Sequence, residues 1–538
     1  MKSSMVALVL AALLGLWSLG GHDLWAPDEP YFAEGAREMI ADGEWAVPHV
    51  NGVVSTDKPP LFFWVIALFS LVSGGVTSWT ARLPSVMAAL GSVALTIRLG
   101  WRMAGPRAGG LAGLLLATTY LHWDKARSAQ IDALLSFLIL TAIVAFESFR
   151  SHDSSGTRAG LLFWASASLA VLAKGPVGLL LPLGIALATL AFDGDIRAWG
   201  RFAPLSGPLL FAGVVGSWAV VATLGSGGEY SVWGALKEHF VERAAHGMHH
   251  AQPPWYYLKV LPIQLLPWSG LVLGGLLLAW KRRRAAHDRF LLVFSLFVVL
   301  FFSVSTEKRD LYVLPAYAAF ALLAARLVAA VEGWESSENA RRLLRWVTVP
   351  QGVVGVFFFA FGVVLPLVAD GVSPALVMPS RVLGPVMIVG GAAIVGAGLA
   401  RRPLLSVYFT AGMISAAYLI AVTTVQPAMN PMKSSRDFAL ELKEATAESR
   451  AAGNEVLALD IGNLPDGLSF YSDGVYLRET GDPSELEAHL TDGSRAYAVV
   501  STAAMSALPR EFRGRLSVVA SAHLSRKKVL LITSRPGP

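Results

Sequence analysis

The run Leu61-Phe-Phe-Trp-Val-Ile-Ala-Leu-Phe-Ser-Leu-Val72, introduced by Ser55-Thr-Asp-Lys-Pro-Pro60, decides how this chain is threaded. It is apolar almost throughout, yet it holds only about a dozen residues. A helix needs about 20 residues to cross a hydrocarbon core of roughly 30 Å. About thirteen other apolar runs recur along the chain, from Val6–Leu19 to Leu404–Val425. If Leu61–Val72 also crosses, every later loop changes side.

The basic residues settle the question. They cluster as Arg98, Arg102 and Arg107; Arg150 and Arg158; Arg197 and Arg201; Lys281 to Arg284; Arg341, Arg342 and Arg345; and Arg401 with Arg402. All of these fall in alternate loops only if Leu61–Val72 does not span. Basic loops face the cytoplasm. The N-terminus is therefore inside, and Leu61–Val72 is an interfacial helix on the outer, periplasmic face. About thirteen spans follow, with the C-terminal part outside. The opening run up to Leu19 has no small-residue cleavage site after it and reads as a retained first span rather than a signal peptide.

Composition agrees. Hydrophobic residues make up 54% of the 538 and charged residues 15%, too few charges to cover a soluble surface of this size. The net charge of +6 sits in short loops, without the basic stripe interleaved with aromatics that nucleic acid requires. There is no cysteine, which fits an oxidising compartment without structural disulfides. From about Pro431 the charge density becomes ordinary and short strand-like runs appear, at Val456–Leu459, Ala496–Val500 and Lys528–Ile532, between helical patterns at Ser435–Ser449 and Pro483–Leu490. The expected division is thus a polytopic α-helical membrane domain over residues 1–430 and a small α/β periplasmic domain over 431–538.

The expected outside loops hold nearly all the titratable residues that are not arginine anchors. The first carries the adjacent carboxylates Asp28 and Glu29. Asp28 reads either as the N-cap of the following helix or as a general base in a partly desolvated cleft. Lys58 reads either as a snorkelling interfacial lysine or as an ammonium holding a lipid phosphate. The stretch Glu229–Val260 is rich in histidine, but its spacing matches no strong zinc pattern. Trp255, Tyr256 and Tyr257 suit an aromatic belt as well as a sugar platform. Lys308 and Arg309 run against the positive-inside trend, and binding an anion is the simplest reason. Asp132 and Lys174 stand at the ends of apolar runs.

In order, Pro27-Asp28-Glu29…Tyr31, Asp57-Lys58-Pro59, Lys174-Gly175, His250…Trp255-Tyr256-Tyr257 and Leu311-Tyr312-Val313-Leu314-Pro315 resemble the GT-C glycosyltransferases. The likeness is strongest to the bacterial lipid A aminoarabinose transferases and more distant to protein O-mannosyltransferases. It implies a polyprenyl-phosphate sugar donor, inverting transfer of a pentose or hexose, and a periplasmic active site in the bacterial inner membrane. Carried over, Asp28 and Glu29 are the catalytic carboxylates. Lys58, Tyr312 and Arg243 hold the donor phosphate, with Lys308 and Arg309 beside them. Tyr31, Asp132, Lys174 and Trp255 are candidate substrate contacts. The resemblance also implies a divalent metal, zinc, between Asp57 and His250. Two departures stand out: the family has glutamate where Asp57 sits, and Lys-Leu-Pro-Thr-Tyr where this chain has Lys308-Arg309-Asp310-Leu311-Tyr312. The acceptor is accordingly left as lipid A, another glycan or a protein. The competing readings are a transporter or flippase of a lipid-linked or anionic solute, and a noncatalytic assembly protein. A transporter keeps ionisable residues near mid-membrane, whereas here they collect at one interface.

Overall fold

The computed structural model describes residues 2–227, 230, 234, 251–334, 340–491, 495–524 and 527–534. Among them, nine helices are long and apolar enough to cross a bilayer, and a tenth crossing results if one bent pair counts as a single span. The chain is a polytopic helical membrane protein. It forms two compact units, one of residues 1–19, 56–62 and 82–425, the other of 20–55, 63–81 and 426–538. The second unit therefore begins well before Pro431 and takes in most of the first expected outside loop.

The first unit is built of helices. In chain order these are α1 (Lys2–Leu16), most of α4 (Ser78–Thr118), α5 (Tyr120–Ala126), α6 (Ile131–Arg150), α7 (Gly156–Lys174), α8 (Val177–Asp193) and α9 (Ser206–Gly225), then α10 (Tyr256–Gln264), α11 (Ser269–Lys281), α12 (Ala286–Val304), α13 (Tyr317–Val331), α14 (Ala340–Val372), α15 (Val377–Leu399) and α16 (Pro403–Ile420). Helices α10 and α11 meet at 118°. The 41 residues of α4 are two arms, because Gly105 takes φ 84° and ψ 173° and Pro106 follows it. Only glycine enters that backbone region without strain, and proline cannot continue the hydrogen-bond ladder. The two arms take up the separate runs expected at Leu83–Trp101 and Leu111–His122.

At the centre lies α13, in which every residue from Tyr317 to Ala330 is buried. Its alanines let neighbours approach backbone to backbone: a Cβ on Gly275 of α11 would stand 2.4 Å from the Leu323 carbonyl oxygen. Helices α14 and α15 pack through Gly355 against Gly391 and Gly362 against Gly384, and leave most of their remaining surface exposed. Two buried arginines finish α1. Arg127 donates to the carbonyls of Leu14, Gly15, Trp17 and Ser18, and Arg82 to that of Leu19. These are the carbonyls a helix end leaves unsatisfied.

The second unit contains α2 (Asp28–Asp42), the hairpin β1 (His49–Val50) and β2 (Val53–Val54), and most of the 13-residue apolar helix α3 (Leu61–Ser73). The hairpin turns on Asn51-Gly52, both at positive φ, the pair that a two-residue turn favours. Beyond residue 426 come β3 (Val456–Leu459), β4 (Leu477–Glu479), β5 (Tyr497–Ser501), β6 (Leu516–Leu524) and β7 (Lys527–Ser534), in sheet order β4-β3-β5-β7-β6. Strand β3 runs parallel to β4 and β5, and β7 antiparallel to β5 and β6. Helices α17 (Arg436–Ala451) and α18 (Pro465–Tyr471) pack Phe438, Leu442 and Leu468 on one face, and α19 (Pro483–Thr491) packs Leu486 and Leu490 on the other. Strand β3 is buried on both faces, as a central parallel strand should be.

Candidate active site

In the first unit the best-defined cluster joins three helix ends. Asp132 sits in the first turn of α6, Lys174 is the last residue of α7, and Tyr312 lies on the 3-10 turn Asp310–Ala316 that leads into α13. Acid at a helix start and base at a helix end each suit the helix dipole. The Lys174 ammonium pairs with the buried Asp132 carboxylate and stands 4.9 Å from the centre of the Tyr312 ring. Phe302 backs that ring at 5.3 Å. The cluster is thus a cation held between a carboxylate and a phenol at the mouth of an apolar bundle.

Lys58 follows Asp57 at the start of the Pro-Pro entry into α3. Its ammonium donates to the Asp57 carbonyl at 3.1 Å and lies 3.9 Å from the Asp57 carboxylate. Lys308 behaves differently. It is buried, and its ammonium donates to the carbonyls of Gln252 (2.8 Å) and Ser305. Burial lowers its pKa below the ordinary lysine value. With the Ala251–Glu307 bridge and the Gln252 N–H donating to Thr306, it straps the segment before α10 to the loop after α12. Tyr257 adds a hydrogen bond to the Arg309 carbonyl at 3.1 Å. Trp255 is 65% exposed, an accessible face for stacking or for the interface.

The second unit holds the acidic pair. Helix α2 begins after Pro27, so Asp28 is inside its first turn rather than at the N-cap, half-buried and at the positive end of the dipole. Glu29 is buried and accepts the Trp25 N–H at 3.0 Å. Its carboxylate completes the turn that presents Asp28. Tyr31 hydrogen-bonds Ser55 at 2.6 Å and packs edge-on against Phe63. The preceding loop is tied down from far along the chain. Asn430 accepts from Asp23 N and Trp25 Nε1, the Tyr471 hydroxyl accepts from Leu24 N, and Lys433 stands 4.5 Å over the Trp25 ring. Asn51 exchanges hydrogen bonds with Leu477 (2.6 and 3.0 Å) and accepts one from Ser469 (2.5 Å). Sequence reading passed over Asn51, Asn430 and Tyr471, because a tether acting across four hundred residues leaves no local pattern.

Arg243 and His250 lie outside the described residues. Of the expected metal pair only Asp57 is therefore placed, beside an ammonium that competes for its oxygen. Among the described residues no three histidines, aspartates or glutamates gather as a metal would require.

Residues 57–221 match the family model for dolichyl-phosphate-mannose-protein mannosyltransferases. The chain is 32% identical over 324 residues to the undecaprenyl phosphate-alpha-4-amino-4-deoxy-L-arabinose arabinosyl transferase of Pseudomonas aeruginosa (strain LESB58), covering 59% of this chain and 58% of that protein. It is 30% identical over 378 residues to the transferase of the same name from Aeromonas salmonicida (strain A449), covering 68% and 67%. The chain thus matches less than two thirds of the length of the Pseudomonas protein. In structure it is similar to ArnT from Cupriavidus metallidurans bound to undecaprenyl phosphate, with a TM-score of 0.78, 20% identity and 99% of both chains covered. The Archaeoglobus fulgidus oligosaccharyltransferase shares the fold more loosely, with a TM-score of 0.53, 11% identity, and 93% of this chain and 69% of that one covered.

Proposed function

We propose, because this chain belongs to the GT-C glycosyltransferase family of the undecaprenyl phosphate-aminoarabinose arabinosyl transferases, that it transfers a sugar from a polyprenyl-phosphate donor to an envelope acceptor. The acceptor is lipid A, another glycan or a protein; the relatives' names specify an undecaprenyl-phosphate-linked aminoarabinose as donor and no acceptor. The observation that carries the reading is the ion-paired, aromatic-backed cluster of Asp132, Lys174 and Tyr312 at helix ends, where a sugar-phosphate headgroup arrives while its tail stays in the bilayer.

The transfer inverts the anomeric centre. The acceptor oxygen or nitrogen attacks the sugar's anomeric carbon as the carbon–oxygen bond to the phosphate breaks. The polyprenyl phosphate leaves with the electron pair, and the acceptor's proton passes to a carboxylate, assigned to Asp28. Phosphate is already a good leaving group, so positioned cations supply most of the help, with Lys58 and Tyr312 as its donors and Arg243, Lys308 and Arg309 as further candidates. Proton transfer adds about 10²–10⁴-fold. Glu29 fixes the backbone that carries Asp28. Tyr31, Asp132, Lys174 and Trp255 contact the substrate. Asp57 and His250 are where a divalent ion would add positive charge beside the phosphate.

The chain sits in the bacterial inner membrane. Counting the two arms of α4 separately, the bent pair once, and the shorter helices α1 and α8 gives thirteen spans. The N-terminus and the arginine loops are then cytoplasmic. Asp28, Lys58, Lys174 and Tyr312 are periplasmic, α3 is interfacial, residues 1–430 form the catalytic domain, and residues 431–538 form a periplasmic α/β domain. The test is transfer from short-chain polyprenyl-phosphate sugars to envelope acceptors by the purified protein. Asp28→Asn should lower turnover about 100-fold or more with donor affinity little changed, and Lys58→Ala should weaken donor binding. The reverse pattern, or lipid movement between leaflets undisturbed by both substitutions, would sink the assignment.

A further inference from the structure

A cavity of about 320 Å³ opens between α4, α6 and α7, at the end of the bundle opposite the Asp132–Lys174 cluster along α6 and α7. One wall is largely apolar, formed by Leu95, Val144, Ala145, Ala159 and Leu162 with Thr141, whose hydroxyl donates to the Phe137 carbonyl. Arg98 from α4 and Arg158 from α7 stand at its margin with Ser148, Asp153 and Ser154. Four other arginines at this end are paired with carboxylates. Arg102 pairs with Asp153 and donates to Ser148, Arg150 pairs with Glu147 and Asp193, Arg289 with Asp193, and Arg326 with Asp288. Arg98 and Arg158 are exposed, and among the described residues no carboxylate or hydrogen bond engages either guanidinium. Around the cavity three guanidiniums, Arg98, Arg102 and Arg158, face one carboxylate, Asp153, which leaves two positive charges over.

Two unmatched guanidiniums at the mouth of an apolar groove in a membrane bundle define their ligand by chemistry. It carries a phosphate oxygen cluster at one end, because the planar fork of arginine suits phosphate. It carries hydrocarbon at the other, because the wall along Leu95, Val144 and Leu162 is apolar. At about 320 Å³ the groove accommodates a headgroup and the near end of one acyl chain, the rest of the tails staying in the bilayer. We infer that this groove binds the headgroup of an anionic phospholipid, with an acyl chain lying along its apolar wall. By the positive-inside assignment the lipid belongs to the cytoplasmic leaflet, where basic residues near the surface attract anionic headgroups. The site goes beyond the transfer reaction and stands whether or not Asp28 and Lys58 have the roles given above.

The test is lipid binding to the purified full-length protein, followed by native mass spectrometry and by thermal unfolding in a zwitterionic detergent. The probes are phosphatidylglycerol, phosphatidylcholine of matched chains, and inorganic phosphate. Arg98→Gln/Arg158→Gln should bind phosphatidylglycerol about 25-fold more weakly, at roughly fivefold per basic residue near the headgroup. Arg341→Gln/Arg342→Gln removes the same charge from another loop and should bind as the wild type does. Arg98→Lys/Arg158→Lys keeps the charge and should retain the preference over phosphatidylcholine, which guards against a folding defect in the glutamine variant. Equal losses in both glutamine variants, or in neither, would overturn the site. So would stabilisation by inorganic phosphate equal to that by phosphatidylglycerol.

Discussion

The Asp132–Lys174 cluster and the Asp23–Ser55 segment both present carboxylates, but they hold them by opposite means. In the first, each group sits at the terminus of a long apolar helix, so its position follows from where a span begins or ends. In the second, Asp28 rides on a short helix whose loops are tied by side chains of residues 430–477. Register fixes the one, and tertiary hydrogen bonds fix the other. Charge deletions should therefore hurt the first most, and losses of neutral polar tethers the second.

The largest effect tests the first half of that contrast. Asp132→Ala leaves the Lys174 ammonium, itself only 18% exposed, without its counter-charge against the Tyr312 ring. Breaking such a pair from one side costs about 3–5 kcal/mol. It should appear as a marked fall in the unfolding midpoint in detergent. Asp132→Asn/Lys174→Met should recover most of it. A single variant as stable as the wild type would mean that the pair is not what positions these helix ends.

The second half turns on Asn51. Asn51→Ala removes the acceptor of Ser469 and both bonds to Leu477, and leaves those buried groups to find water. The expected cost is about 2–3 kcal/mol, at roughly 1 kcal/mol per bond. Limited proteolysis should then cut within residues 43–55 before it cuts elsewhere. Asn51→Asp keeps the two accepted bonds and loses the donated one, so it should fall between.

These contrasts explain what the sequence could carry. Helix ends were legible because charge punctuates apolar runs, and Asp132 and Lys174 stand out that way, whereas Tyr312 drew notice only through the family resemblance of Leu311–Pro315. The central strands β3, β5 and β7 were legible as apolar runs too. Strand β6 was not, because its side chains alternate through Ser517, Ser521 and small alanines with no clear apolar face. The two arms of α4 were legible as separate runs as well, because the stretch from Arg102 to Arg107, with Gly105 and Pro106, interrupts the apolar pattern where the helix breaks. The tethers Asn51, Asn430 and Tyr471 are ordinary polar residues whose meaning appears only when their partners are adjacent.

A third comparison concerns charges that neither span ends nor tethers explain. Glu34 and Glu38 lie one turn apart on α2, both fully buried, with Arg37 clamping Glu34 at 2.7 and 2.8 Å. Glu38 accepts the Gly52 N–H and faces Glu34, Arg37 and Tyr476. Burial, with Glu34 beside it, pushes its carboxyl up to about 8. The folded state holds that proton up to about pH 8, while the unfolded chain releases it near 4.5. The stability this group contributes is therefore fully present below pH 4.5, falls as pH rises toward 8, and is lost above it, with a slope of at most about 1.4 kcal/mol per pH unit. Glu38→Gln should flatten that part of a pH–unfolding profile, since the amide still accepts from Gly52. A profile unchanged by the substitution would place the proton elsewhere.

The smallest effect isolates the hairpin turn from its tether. Gly52 has φ +75°, and a Cβ there would meet the Tyr476 ring at 3.0 Å. Gly52→Ala retains all three Asn51 bonds and adds only backbone strain and a contact that the ring can ease by a small tilt. About 1 kcal/mol is the expected cost, well below that of Asn51→Ala. The order matters more than either value. If Gly52→Ala proved the worse of the two, the turn itself would be setting the position of α2, and the segment would resemble the Asp132–Lys174 cluster in being fixed by local geometry. If it proved the milder, the long-range bonds to Ser469 and Leu477 would be what holds residues 49–54 in place, and the acidic pair of α2 would owe its presentation to residues far along the chain.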